Sequence, residues 1–238
     1  MAKLTNKVAL VTGGSRGIGA AIAKRLAPDG ANVAFTYTKD ASAASAVVKA
    51  IAIQADAASV DAVKGAVEKV VSTFGRLDVL VNNAGAAIPK PFEEATQEEM
   101  DRIIDINIRG VFATTQAALK HMKEGGRIIM IGSAVGERAV ASGLVPYAAT
   151  KGAVKMFTQA LSREVGSRGI TVNNVQPGPI DTDLNPASGD WAVPQQAATA
   201  LDRYGRVEEI AAMVAFVAGP ESSYITGANL TVDGGMNA

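Results

Sequence analysis

The sequence predicts a single α/β domain: a doubly wound parallel sheet of about seven strands with helices on both faces. Three observations predict it. Short apolar runs alternate with amphipathic helical patterns along the whole chain, the order that yields parallel strands joined by helical crossovers. The runs near the middle of the chain are continuously apolar, as strands buried on both faces are. No internal repeat or linker divides residues 1–238, a length that suits one large domain with a sizeable core.

Val8–Thr12 is the first strand, followed by Gly13-Gly-Ser15-Arg16-Gly17-Ile18-Gly19 and a helical pattern over 20–27. Strand, glycine turn and helix in that order form the context of a dinucleotide site. The glycines permit a tight turn and close approach to a diphosphate, and the N–H groups opening the helix face its charge. Their G-x-x-x-G-x-G spacing is a variant of the G-x-G-x-x-G fingerprint.

Ala31–Tyr37 is the second strand. An acid after it would hold the ribose hydroxyl of NAD. The chain has Tyr37, Thr38 and Lys39 there, with Arg16 projecting from the glycine loop, so two cations and a hydroxyl favour the 2′-phosphate of NADP(H); Asp40 pulls the other way, and Lys39 also suits a solvated surface. Residues 41–50 read as a helix and 51–54 as the third strand, with no Gly, Asn or Pro between them. Either the helix is cut short or a turn is missing from the chain as printed. Asp56 is placed to hydrogen-bond an adenine amine, or equally to cap the helix that starts at Ser59 and runs to Phe74.

Leu77–Asn82 is the fourth strand, closed by Asn82-Asn83-Ala84-Gly85. Small residues there allow close approach of a cofactor, and the amides suit either its ribose or the neighbouring strands; a plain turn is the alternative. Thr96-Gln-Glu-Glu99 is a capping box opening a long helix through His121. Within it Asn107 is a polar residue among apolar ones, able to bond nearby backbone or hold a water chain. Residues 126–132 form the fifth strand, with Ser133 at its carboxyl end, the edge where such sheets bind ligands; Ser133 also suits a turn.

Pro146 opens the helix that carries Tyr147 and Lys151, one turn apart on the same face. A phenol titrates at about 10, and a nearby cation favours phenolate, bringing it toward working range at neutral pH. By itself this spacing also fits an amphipathic surface pair. Ile170–Gln176 is the sixth strand, broken by Pro177-Gly178-Pro-Ile180. Residues 183–200, with Pro186, Gly189, Trp191 and Pro194, read as a mobile substrate lid; Trp191 suits a packing anchor or a subunit contact equally well. A last helix over 206–218 and a last strand over 228–232 complete the sheet.

Composition excludes several function classes. Lys+Arg and Asp+Glu balance at 23 each, so nothing points to nucleic acid or an anionic membrane. With no cysteine and one histidine, His121, the chain carries no Cys/His zinc set or disulfide frame and is a poor host for thiol or Ser-His nucleophiles. His121 reads as structural or solvent-facing. Without a signal-peptide core or an apolar run near the roughly 18 residues of a membrane span, a cytoplasmic protein is expected.

Taken together, Gly13/Gly17/Gly19, Asn82–Gly85, Asn107, Ser133, Tyr147…Lys151, Pro177-Gly-Pro and the Val-Asp-Gly-Gly235 ending resemble the short-chain dehydrogenase/reductase family over practically the whole chain. The resemblance implies a Rossmann-type fold, NADP(H) as cofactor and a carbonyl reduction. Tyr147 would be the acid/base, Lys151 would lower its pKa and bind the nicotinamide ribose, Ser133 would hold the substrate oxygen, and Asn107 would support a water relay. Pro177 to Thr182, including Gly178 and Ile180, would hold the nicotinamide carboxamide. A homotetramer is implied as well.

Within the family the likeness is to bacterial 3-oxoacyl-[acyl-carrier-protein] reductases and related carbonyl reductases. Arg168 matches one basic position by which such enzymes dock acyl carrier protein, but the other is Glu124, which favours a free ketone. An epimerase would need a larger substrate domain. A regulatory protein that binds NADP without turnover is the rival from another class, and the intact Ser133, Tyr147 and Lys151 argue against it.

Overall fold

In a computed structural model that describes residues 3–39 and 50–238, seven strands form one sheet. They are β1 (Val8–Val11), β2 (Asn32–Tyr37), β3 (Ala50–Gln54), β4 (Val79–Asn82), β5 (Arg127–Ile131), β6 (Thr171–Pro177) and β7 (Asn229–Val232). The order is β3-β2-β1-β4-β5-β6-β7, and every pair is parallel. The connections run outward in opposite directions from β1 and β4, which opens a crevice at the carboxyl ends of those strands.

The helices are α1 (Gly17–Leu26), α2 (Val60–Phe74), α3 (Gln97–Ile104), α4 (Val111–Leu119), α5 (Val145–Val165), α6 (Ala192–Ala197) and α7 (Val207–Ala218). Side chains alternate across each strand and so fill two cores. Ala9, Val11, Val33, Phe35, Val81 and Ile129 pack with Ile22 and Leu26 of α1 and Ile210 and Val214 of α7. Val8, Leu10, Leu80, Ile128 and Met130 pack on the other face with Val67 and Val70 of α2, Val111 of α4, and Val154 and Leu161 of α5. Strands buried on both faces are why their sequence is apolar without interruption.

Two expectations change. The long helix after Thr96 is capped as expected, with Thr96 Oγ1 accepting the Glu99 N–H and the Glu99 carboxylate accepting the Thr96 N–H. It is interrupted by a π-helical turn over Asp105–Gly110 and ends at Leu119, before His121. Gly110 is required there, because a Cβ would lie 2.1 Å from Ala57 O. The third strand starts at Ala50, where the sequence predicts helix; the rest of the expected helix, 41–49, lies outside the described residues. No helix among the described residues is long and apolar enough to cross a membrane.

Candidate active site

Ser133, Tyr147 and Lys151 meet beyond the carboxyl end of β5. Ser133 caps a one-turn 3-10 helix over Ala134–Gly136, and that turn lies directly on α5: a Cβ at Gly136 would approach the Lys151 carbonyl carbon to 2.7 Å. Tyr147 lies in the first turn of α5, with the Ser133 hydroxyl near enough to favour its phenolate. Lys151 is buried, its Nζ donating to Ile131 O at 2.7 Å and lying 5.6 Å from the centre of the Tyr147 ring.

The electrostatics differ from the expectation that Lys151 lowers the phenol. Burial pushes Tyr147 above its ordinary value, and the opposing influence comes from the Ser133 hydrogen bond. Burial also brings Lys151 down to about 8, because an ammonium without a neighbouring carboxylate loses its hydration. The pair therefore consists of a phenol that holds its proton at neutral pH and an amine that releases one unusually easily.

Asn107 sits on the π turn, buried. Its Oδ1 accepts the Ala86 N–H at 2.9 Å, and its Nδ2 donates to Ala86 O at 2.9 Å and to Thr150 Oγ1 at 3.0 Å. Both donors are used, so Asn107 ties the segment after β4 to α5 and keeps one acceptor lone pair on Oδ1. A Cβ on Gly85 would lie 3.5 Å from that oxygen and 3.6 Å from Lys151 Nζ, so Gly85 borders the gap between them.

The glycine loop is built for close approach. Gly13 and Gly17 have φ of +63° and +53°, in the left-handed region. A Cβ on Gly19 would lie 2.4 Å from Gly13 O and 2.5 Å from Asn83 Nδ2. Arg16 is the N-cap of α1 but its side chain makes no capping bond, so the first amides of the helix are left to another acceptor. Asn83 braces the loop from below, its Nδ2 donating to Thr12 O at 2.8 Å and Gly13 O at 3.0 Å. Asn82 Nδ2 donates to Thr115 Oγ1 on α4 at 2.9 Å, so both amides serve neighbouring parts of the fold. These features fit a bound dinucleotide diphosphate.

Ser15 and Ile18 are half-buried in the same loop, and Thr38 and Lys39 stand exposed after β2. The Arg16 side chain is 72% exposed, with Asp183 at 3.8 Å. Asp56 is spoken for. Burial opposes its ionisation, but the Ala58 N–H at 3.0 Å and the two-pronged contact with Arg102, both at 3.1 Å, hold its carboxyl below the usual range. The helix cap comes from Ser59, whose hydroxyl accepts the Ala62 N–H.

Pro177 ends β6, and the following segment turns back toward the glycine loop: a Cβ on Gly17 would lie 3.5 Å from Thr182 Cγ2. Ile180 is buried, and Thr182 exchanges backbone bonds with Asn185. Across 183–200 lies the short helix α6, with Leu184, Trp191 and Val193 more than half exposed. Arg168 donates to Leu119 O at 2.7 Å and Met122 O at 3.1 Å, closing the carboxyl end of α4, while Glu124 packs against Gly169. His121 meets Glu68 at 3.0 Å, away from the site.

Three contributors escaped the sequence. Thr12 Oγ1 accepts the N–H groups of Asn83 and Ala84, both at 3.0 Å, and Thr36 Oγ1 accepts the Gly13 N–H at 3.0 Å. Gly14 must lack a side chain because a Cβ would lie 2.5 Å from Phe35 Cβ. Thr12 and Thr36 look like ordinary strand residues, and only the strand pairing reveals their work.

Comparison with known proteins agrees with this geometry. The family profile described as enoyl-(acyl carrier protein) reductase matches residues 13–237. The chain is 45% identical over 241 residues to a cyclic-di-GMP-binding biofilm dispersal mediator protein of Escherichia coli, covering all of both chains. It is 44% identical over 242 residues to a 3-oxoacyl-[acyl-carrier-protein] reductase of Staphylococcus aureus, covering 97% of this chain and 98% of that one. A short-chain dehydrogenase from Burkholderia cenocepacia, crystallised with NADP, superposes with a TM-score of 0.98 at 51% identity, over 99% of this chain and 100% of that one. The chain therefore belongs to the short-chain dehydrogenase/reductase family of oxidoreductases.

Proposed function

We propose that this enzyme is an NADPH-dependent carbonyl reductase in which Tyr147 protonates the substrate oxygen. The observation that carries the reading is the grouping of Ser133, Tyr147 and a buried Lys151, its Nζ 5.6 Å from the Tyr147 ring centre, at the sheet edge that also bears the glycine loop. Bound NADPH supplies the hydride. Gly13, Ser15, Gly17, Ile18 and Gly19 with the α1 amides hold its diphosphate, and Arg16, Thr38 and Lys39 its 2′-phosphate. Asn83, Ala84 and Gly85 line the ribose side. Pro177, Gly178, Ile180 and Thr182 hold the carboxamide.

Burial keeps Tyr147 protonated at neutral pH, which suits a donor to a carbonyl oxygen that gains negative charge. Ser133 positions that oxygen and holds the phenol. Lys151 binds the nicotinamide ribose. With its pKa near 8 it also returns a proton readily, through the gap beside Gly85 and Asn107 Oδ1.

The substrate is a free ketone rather than a carrier-bound one. Arg168 commits one guanidinium nitrogen, Nη2, to backbone carbonyls, and Glu124 places an acid where an acidic carrier needs a base. Steady-state NADPH oxidation with ketones, 3-oxoacyl thioesters and enoyl thioesters tests this; a preference for carrier-bound thioesters would reverse it. A second reading follows from the Escherichia coli relative, whose name carries cyclic-di-GMP binding: a nucleotide-responsive regulator on the same scaffold. Calorimetric titration with cyclic di-GMP, with and without NADPH, separates the two.

The same reading makes the enzyme a homotetramer assembled through α4, α5 and β7. Phe112 and Met156 support it, lying 44% and 61% exposed on the faces of α4 and α5, where Phe112 stacks on Phe157 at 4.5 Å. Sedimentation velocity giving a monomer at micromolar concentration would refute that assembly.

A further inference from the structure

The Asp233–Asn237 turn touches the segment after β5, the segment after β6 and the base of 183–200. Asp233 folds it, Oδ1 accepting the Gly235 N–H at 2.9 Å and Oδ2 the Asn237 N–H at 3.0 Å. Asn237 Nδ2 then donates to Ala134 O at 2.8 Å, one residue from Ser133. Gly178, in the segment after β6, packs so tightly that a Cβ there would lie 2.6 Å from Asp233 Cα. At the base of 183–200, the Leu201 N–H donates to Gly234 O at 3.1 Å, and a Cβ on Gly235 would lie 2.7 Å from Ala200 Cβ. Gly234 and Gly235 have φ of +65° and +82°, which lets the chain reverse there.

We infer that Asp233–Asn237 is a positioning element for the reaction and that Asn237 is the positioning residue through which it acts on Ser133. This rests on the roles given to Ser133 and Tyr147 above. The Ser133 hydroxyl reaches the Val135 N–H only at 3.4 Å, while the backbone of its turn is closed by the Gly136 N–H donating to Ser133 O at 3.0 Å. Ala134 O collects the N–H groups of Glu137 at 3.0 Å and Arg138 at 3.2 Å, and the Asn237 bond is the shortest of the three. Asn237 Oδ1 is buried without a partner, so the donor end alone fixes the side chain. Because the same turn packs through Gly136 on the Lys151 backbone, slackening it moves Ser133 relative to Tyr147.

Asn237→Asp keeps the side-chain shape and removes the donor; Asn237→Ala removes both, and carries the test if the first variant does not fold. Amide hydrogen exchange over residues 134–138, followed by mass spectrometry without substrate, reads the brace itself. Exchange about fivefold faster or more in these variants is expected, and unchanged exchange overturns the proposal. Kinetics read the consequence. With NADPH affinity and melting temperature held, kcat for the ketone falls about tenfold. The apparent pKa governing kcat moves upward, because the Ser133 hydroxyl that lowers Tyr147 is displaced. Unchanged kcat and pH profile alongside faster exchange would also overturn it. A wild-type protein without carbonyl turnover would sink the functional reading alone, leaving exchange to decide the brace.

Discussion

Lys151 Nζ donates to the carbonyl oxygen of Ile131 at 2.7 Å, so the one buried ammonium of the candidate site is held by the strand beneath it. A neutral amine can make the same bond, which is why burial is free to lower its pKa to about 8.

That shift has a sign. The folded pKa lies below the unfolded value of 10.5, so between pH 8 and 10.5 the unfolded chain binds more protons and stability rises with pH. Below pH 8 the penalty of the buried charge is fully present, on the order of 3 kcal/mol. Urea unfolding of the cofactor-free protein should show this rise, and Lys151→Met should abolish it. A wild-type stability that is flat or falling from pH 8 to 10 while Lys151→Met behaves identically would contradict the shift.

Tyr147 should ionise late. Its phenolate, isolated as the ultraviolet difference between wild type and Tyr147→Phe, is expected above the ordinary tyrosine value of about 10 when no cofactor is bound. Detecting it near neutrality under those conditions would mean that Lys151, and not burial, governs the phenol.

Much of this was legible in the sequence, for identifiable reasons. β1, β4 and β5 are buried on both faces and read as largely apolar runs, and the Thr96–Glu99 capping box is local chemistry. The π turn was not legible, because it depends on Gly110 meeting Ala57 O, a contact across more than fifty residues. The same holds for Thr12, Thr36 and Asn237, whose partners come from other strands and turns. Asp56 stands after β3 as expected, and its pairing with Arg102 from a distant helix is a contact the sequence could not give.

Gly85→Ala should slow proton supply. The new Cβ makes ordinary contacts, 3.5 Å from Asn107 Oδ1 and 3.6 Å from Lys151 Nζ, but fills the gap between them. The expected result, measured at saturating NADPH because Gly85 also lines the ribose side, is a kcat lowered about tenfold with a larger solvent isotope effect. Full activity in this variant would remove the relay from the mechanism.

Cofactor choice is assigned to Arg16 and Lys39. Each is exposed, so each single substitution to Ala should weaken NADPH about fivefold and leave NADH unaffected, as measured by fluorescence titration. Equal losses for both cofactors would place these cations elsewhere than on the 2′-phosphate.

The most direct measurement compares NADPH oxidation by wild type and Tyr147→Phe across the ketone panel, with NADPH affinity measured in parallel. Removal of the phenol oxygen should lower kcat by a factor of about a hundred or more while cofactor affinity stays within about twofold, since the hydroxyl is assigned to proton transfer. Undiminished turnover in Tyr147→Phe would contradict the assignment of Tyr147 as the proton donor.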